Sequence, residues 1–110
     1  MLPKIHRIPS SDLRSVIRYG TRVINKELDV KRVHTACDVF RCAIIVPTRV
    51  DKRATKRNRI RRLISESVRH ILPTLAKGHD VVIRVNHRLP DTQTEMDAVI
   101  TKVLQPFMEL

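Results

Sequence analysis

Apolar residues recur at helical spacing in three stretches and alternate in two others. Leu13, Val16 and Ile17 make one stripe, predicting a helix from about Ser11 to Tyr19. Ser10 or Ser11 can cap it, Asp12 suits its positive end, and Gly20 fits just past its last turn. Residues 22–35 are rich in strand formers, but Val23, Leu28, Val30 and Val33 break parity, so an interruption is expected near Asn25 to Glu27. Val39 to Val46 alternates cleanly: Phe40, Cys42, Ile44 and Val46 share one face, and Val39, Arg41, Ala43 and Ile45 the other. Both faces are mostly apolar, which suits a central strand, and Pro47 ends it for lack of an N–H.

The longest pattern runs from Ala54 to Leu72, where Pro73 stops it. Ile60, Leu63, Ile64, Val68, Ile71 and Leu72 form its buried stripe. A turn at Lys77-Gly78-His79 precedes a strand over Asp80 to Val85. Thr92-Gln93-Thr94-Glu95 reads as a capping box opening a last helix, with Met96, Val99, Ile100, Val103 and Leu104 on its apolar side. The order is helix, two or three strands, helix, strand, helix. One sheet with helices packed on it, an α+β fold, is the economical solution.

The 110 residues fit a single domain, 1–110, and the 42% hydrophobic content argues against disorder. No apolar run approaches a membrane span, and Met1 to Arg7 lacks a signal peptide's apolar stretch, so the cytoplasm is the expected compartment. Two cysteines give no disulfide framework. Charge changes the picture most. Lys and Arg number 22 against 11 acids, a net charge of +11, which points to a polyanionic partner, nucleic acid before membrane. With only Tyr19, Phe40 and Phe107 aromatic, binding by base stacking on aromatic platforms is disfavoured.

The excess is concentrated. Between Thr48 and Arg62 stand Arg49, Lys52, Arg53, Lys56, Arg57, Arg59, Arg61 and Arg62, with Asp51 the single acid. On the predicted helix, Lys56, Arg59, Arg62 and Arg69 project away from the apolar stripe, and Arg53, Arg57 and Arg61 form a second row on its flank. Guanidinium forks at this density match phosphates bidentately. Asn58 among them can hold a ribose hydroxyl or a base edge. A merely solvated face would interleave acids at i,i+4, and none follows Asp51 until Glu66.

Lys56-Arg57-Asn58-Arg59-Ile60-Arg61-Arg62-Leu63 resembles the Arg-Asn-Arg helix of the bacterial ribonuclease P protein subunit. The strand from Arg41 to Val46, the basic loop, the later strand with Gly78, Asp80, Val82 and Arg84, and the opening helix with Asp12 and Gly20 fit the same pattern, over about Leu2 to Leu104. The resemblance implies a two-layer α/β sandwich of order αβββαβα with a left-handed βαβ crossover, against the usual hand. It implies a protein with no catalytic residue or metal site of its own. Its partners would be ribonuclease P RNA and precursor tRNA, with neither membrane nor DNA expected. The RNA would use Mg²⁺ to remove the 5′ leader. The RNA-facing set carried over is Lys52, Arg53, Lys56, Arg57, Asn58, Arg59, Arg61 and Arg62, with Arg41 and Arg49 matching more loosely. A ribosomal or other structural RNA-binding protein is the alternative.

The chain departs from the family pattern in two ways. Where relatives carry cleft aromatics, this chain has Leu13, Ile17 and the stretch Val30-Lys31-Arg32, and Pro47 replaces a small residue after the strand. Weaker signals have plain readings. His34, Cys37 and Cys42 fall short of a four-ligand zinc set, and Cys42 reads as a core thiol. His6, His70, His79 and His87 read as surface residues, and Asp91, Glu95 and Asp97 as acids at a helix start.

Overall fold

Two of the strands are apolar on both faces, and this decides the architecture: their sheet must be covered on each side. The computed structural model describes residues 2–23, 25–26 and 28–109. Its elements are α1 (Ser10–Tyr19), β1 (Thr21–Val23), β2 (Asp29–His34), β3 (Arg41–Ile45), α2 (Ala54–Ile71), β4 (His79–Arg84) and α3 (Gln93–Leu104), the expected αβββαβα order. The sheet runs β1-β2-β4-β3. β1–β2 and β2–β4 are antiparallel, and β3 and β4 are parallel, joined through α2. The expected interruption separates β1 from β2. Glu27, at its far end, lies outside the described residues.

The larger core lies between one sheet face and the pair α2 and α3. Val30, Cys42, Val81, Ile83 and Val85 meet Ile64, Val68, Met96, Ile100 and Leu104 there. On the other face α1 and the segment before it cover a smaller cluster of Ile8, Val16 and Val82, with Leu13, Val33, Ala43 and Ile45 around it. The two alternating sets of β3 therefore serve two cores, as its pattern requires. Burial pushes the Cys42 thiol up to about 12.

Several expectations are corrected. β3 is not central: β4 is, buried along Asp80–Ile83, while β3 stands at the end of the sheet order. Its outer edge is covered instead by the segment before α1. Arg7 bridges Cys42, and Ile8 N–H donates to the Cys42 carbonyl at 3.3 Å. Neither Ser10 nor Ser11 caps α1; the N-cap is Pro9, without a side-chain bond. Gly20 follows α1 in an extended conformation rather than a left-handed one. It is small because the chain turns hard there: a Cβ would collide with the Val16 carbonyl and sit 3.2 Å from that of Arg32. Ile60, Leu63, Ile71 and Leu72 are half-buried rather than buried, and Ser65 and Ser67 take buried positions instead.

Gly78 is the position that needs positive φ, +83°, and its carbonyl accepts from Thr35 N–H at 2.8 Å to shape the turn into β4. Thr92 caps α3 as expected, its hydroxyl accepting from Glu95 N–H at 3.4 Å. α2 and α3 are also tied by polar bonds. Ser67 donates to Asp97 at 2.6 Å, and the Gln93 amide donates to the Leu63 carbonyl, the Ser67 hydroxyl and Asp97. His70 reaches Asp97 at 3.1 Å and Glu66 at 3.3 Å. His70 and Asp97, read from sequence as plain surface and helix-start residues, are thus interhelical ties. His6 and His79 are not surface residues either. His6 bonds the Phe40 carbonyl at 2.8 Å, and half-buried His79 packs edge-on to Phe107 and against His34.

Candidate nucleic-acid interface

Pro47 closes β3, and a short turn, with Val50 N–H donating to the Pro47 carbonyl at 3.0 Å, carries the chain to Arg53 at the head of α2. Asp51 organises this loop. Its carboxylate accepts from the Arg53 backbone N–H at 2.9 Å and from the Arg53 guanidinium at 3.1 and 3.0 Å. These bonds, the side-chain ones foremost, hold the Asp51 carboxyl down at about 2. Arg57 donates from one nitrogen to the Asp51 and Lys52 carbonyls at 2.9 and 3.0 Å, fastening loop to helix. Each of these two arginines thus has part of its donor capacity committed within the protein.

The rest of the basic set divides in the same way. Arg59 reaches across to the segment before α3, its Nε donating to the Asp91 carboxylate at 2.8 Å and a terminal nitrogen to the Asp91 carbonyl at 3.0 Å. This bond lowers the Asp91 carboxyl below the usual carboxylate range. Arg61, half-buried, donates to the Asn58 amide oxygen. Arg69 is taken by Glu66 and does not serve the free face expected of it. Arg49, Lys52, Lys56 and Arg62 make no hydrogen bond or ion pair through their side chains among the described residues, and all four are exposed. These are the cations most available to an outside anion. α2 has no acid in its first turn; the acid at its positive dipole end is Asp51, just ahead of the helix and bonded to the N-cap Arg53.

Arg41 stands apart from this face. It lies under α1, donating to Asp80 at 2.8 and 2.5 Å and to Asp12 at 3.2 Å. Its side chain is 14% exposed and that of Asp80 3%. The hydrogen bonds to Asp80 raise the Arg41 pKa above its ordinary value, so it is permanently charged and internally paired. Arg41 is a fold residue. The sequence reading also passed over Arg7 and Arg88. Arg7 borders a groove with Arg61 between the N-terminal segment and α2. Arg88 lines a cavity with Arg53, Lys56 and Arg59. Neither lies in a charge run, so only the fold reveals them.

On the opposite sheet face a cleft of about 260 Å³ is lined by Ile17, Lys31, Ile45, Val82 and Arg84, with the Arg22–Asp29 pair at 3.0 Å on its rim. Of the positions where aromatics were missing, Ile17, Val30 and Lys31 line it. Leu13 packs from α1 against the smaller core, and Arg32 bonds His34 at 2.7 Å.

The Ribonuclease P sequence profile matches residues 2–106 of this chain. The chain belongs to that family. Among relatives, the ribonuclease P protein component of Rippkaea orientalis is 32% identical over 101 residues, covering 86% of this chain and 79% of the relative. That of Xanthomonas euvesicatoria is 32% identical over 65 residues, 59% of this chain and 45% of the relative, so the chain matches about half the length of that protein. The Staphylococcus aureus RNase P protein structure superposes with a TM-score of 0.78 at 22% identity, covering 94% of this chain and 98% of that one, a likeness of fold. Within the ribonuclease P family frame, the Lys56–Leu63 motif occupies the first half of α2, and its helix is the connection between the two parallel strands.

Proposed function

We propose that the chain is the protein subunit of ribonuclease P: it binds the catalytic RNA and assists Mg²⁺-dependent removal of the 5′ leader from precursor tRNA in the cytoplasm. The observation that carries the reading is the exposed face of Arg49, Lys52, Lys56 and Arg62, cations without internal partners, in a chain of this family. Arg53, Arg57, Asn58, Arg59 and Arg61 complete the RNA-binding set. Their remaining donors are held in place by the bonds described above, so less side-chain freedom is lost when a phosphate arrives.

In this reading the hydrolytic chemistry belongs to the RNA, and Mg²⁺ acts there. Among the described residues no three His, Cys, Asp or Glu side chains gather to hold an ion, and the face's two acids, Asp51 and Asp91, are engaged by arginines. The protein's part is electrostatic: fixed guanidinium groups offset phosphate repulsion and so lower the Mg²⁺ needed for the RNA to fold and hold its substrate. Reconstitution tests it. The full chain, added to a ribonuclease P RNA and precursor tRNA at low Mg²⁺, should stimulate 5′ leader release. No stimulation would favour a structural RNA-binding role, and cleavage without the RNA would place a nuclease in the protein.

A further inference from the structure

The cavity beside the head of α2 holds about 230 Å³ and differs in kind from a phosphate-binding surface. Ile60 and Leu89 give it apolar lining, and Arg53, Lys56, Arg59 and Arg88 give it cationic lining. Two of those arginines are pinned edge-on. Asp51 takes the Nε and one terminal nitrogen of Arg53, and Asp91 takes the same two nitrogens of Arg59 through its carboxylate and carbonyl. A guanidinium held along its Nε edge keeps its outer donors, and its in-plane partners fix the orientation of the ring-like plane. Its flat faces remain open, and a flat cationic face stacks on a nucleobase. No aromatic residue among the described ones lines this cavity, so such planes are its available stacking surfaces. Lys56 and Arg88 have no such restraint on their side chains among the described residues and are left to meet a phosphate.

We propose that this cavity receives one unpaired nucleotide of the bound RNA strand, its base lying against the Arg59 and Arg53 planes and Leu89, its phosphate facing Lys56 and Arg88. Asp51 and Asp91 are then positioning residues. They hold two guanidinium planes in a fixed orientation at the cavity. The inference rests on the RNA-binding reading above and refines it at one site.

The test uses the full chain with methyl-labelled Val, Ile and Leu, titrated with AMP, ribose 5-phosphate and inorganic phosphate. AMP should bind about tenfold more tightly than ribose 5-phosphate, as one stacked base predicts, and shift the methyls of Val50, Ile60 and Leu89. Arg59→Lys keeps the charge and removes the plane, so in that variant AMP should bind no more tightly than ribose 5-phosphate. Lys56→Ala and Arg88→Ala should weaken both sugar phosphates. Stoichiometric ribonuclease P RNA should displace AMP. Equal affinity for AMP and ribose 5-phosphate, or AMP still bound in the RNA complex, overturns the proposal. Arg62 lies outside the cavity and separates the two readings. If Arg62→Ala weakens RNA binding while Arg59→Lys does not, the cavity proposal alone fails; if neither does, the RNA-binding reading fails with it.

Discussion

The two halves of α2 are built for opposite purposes. From Ala54 to Arg62 the helix carries five bases, no acid and one half-buried apolar residue, Ile60. From Leu63 to Ile71 it buries Ile64, Ser65, Ser67 and Val68, pairs Arg69 with Glu66, and is bonded to α3 through Asp97 and Gln93. The first half is unfavourable as an isolated helix, since like charges crowd it and bases sit at its positive dipole end. Its conformation is secured by the second half, by Asp51 at its head and by Arg59 reaching Asp91. In the proposed reading, binding strength and folding stability reside in adjacent turns of one helix, and they should be separable by mutation.

The largest separation should come from salt. If the first half and its loop contact about six to ten phosphates, RNA affinity should fall about 10³- to 10⁵-fold between about 50 and 200 mM salt, while the folding free energy of the free protein changes little. A flat salt response in filter-binding assays would break the comparison. Next is the core half. Ile64→Ala removes a fully buried side chain and should cost about 2–5 kcal/mol in urea unfolding, leaving RNA affinity per folded molecule unchanged. Smaller is the interhelical tie. Ser67→Ala leaves Asp97 and the Gln93 amide short of a partner and should cost about 1–3 kcal/mol.

The same tie has a pH signature. Burial raises the Asp97 carboxyl, but the bonds from Ser67, Gln93 and His70 outweigh it and leave its pKa below the ordinary 3.8. Because the folded value is the lower one, this contribution is complete above about pH 4 and is lost as pH falls through the folded pKa. Asp97→Asn should flatten that acid limb in melts between about pH 2 and 5. Smallest on stability is Arg62→Ala, about 0.5 kcal/mol or less, since it has no partner among the described residues. That same change should weaken RNA binding and reduce the salt slope by about one. Arg62→Ala unfolding the protein with RNA binding intact would reverse the assignment of the two halves.

Much of this was legible in the sequence. Alternation in β3 marked both of its faces as apolar, and the i, i+3, i+4 stripe of α2 located its buried side, because side-chain direction follows directly from backbone period. Which strand is central was not legible. An apolar double face looks the same whether another strand or the Arg7–Ile8 segment closes its edge. Ser65 and Ser67 were missed because polarity masked positions that flank the stripe. The basic face was legible as composition, but its division was not. Arg59 with Asp91, 32 residues away, and Arg41 with Asp80, 39 away, are pairings that only the fold brings about. Arg41 looked like a member of the RNA-facing set, and its burial under α1 removes it.

The two cysteines carry a consequence for watching this molecule in solution. Cys42, buried in the main core with its thiol pushed up to about 12, stays protonated and shielded at neutral pH, whereas Cys37 is partly open to solvent. A maleimide dye should therefore mark the native chain once and the unfolded chain twice. The lag before the second label times how often the core between the sheet and its helices opens, so the natural sequence contains its own stopwatch for that opening, with no engineered residue required.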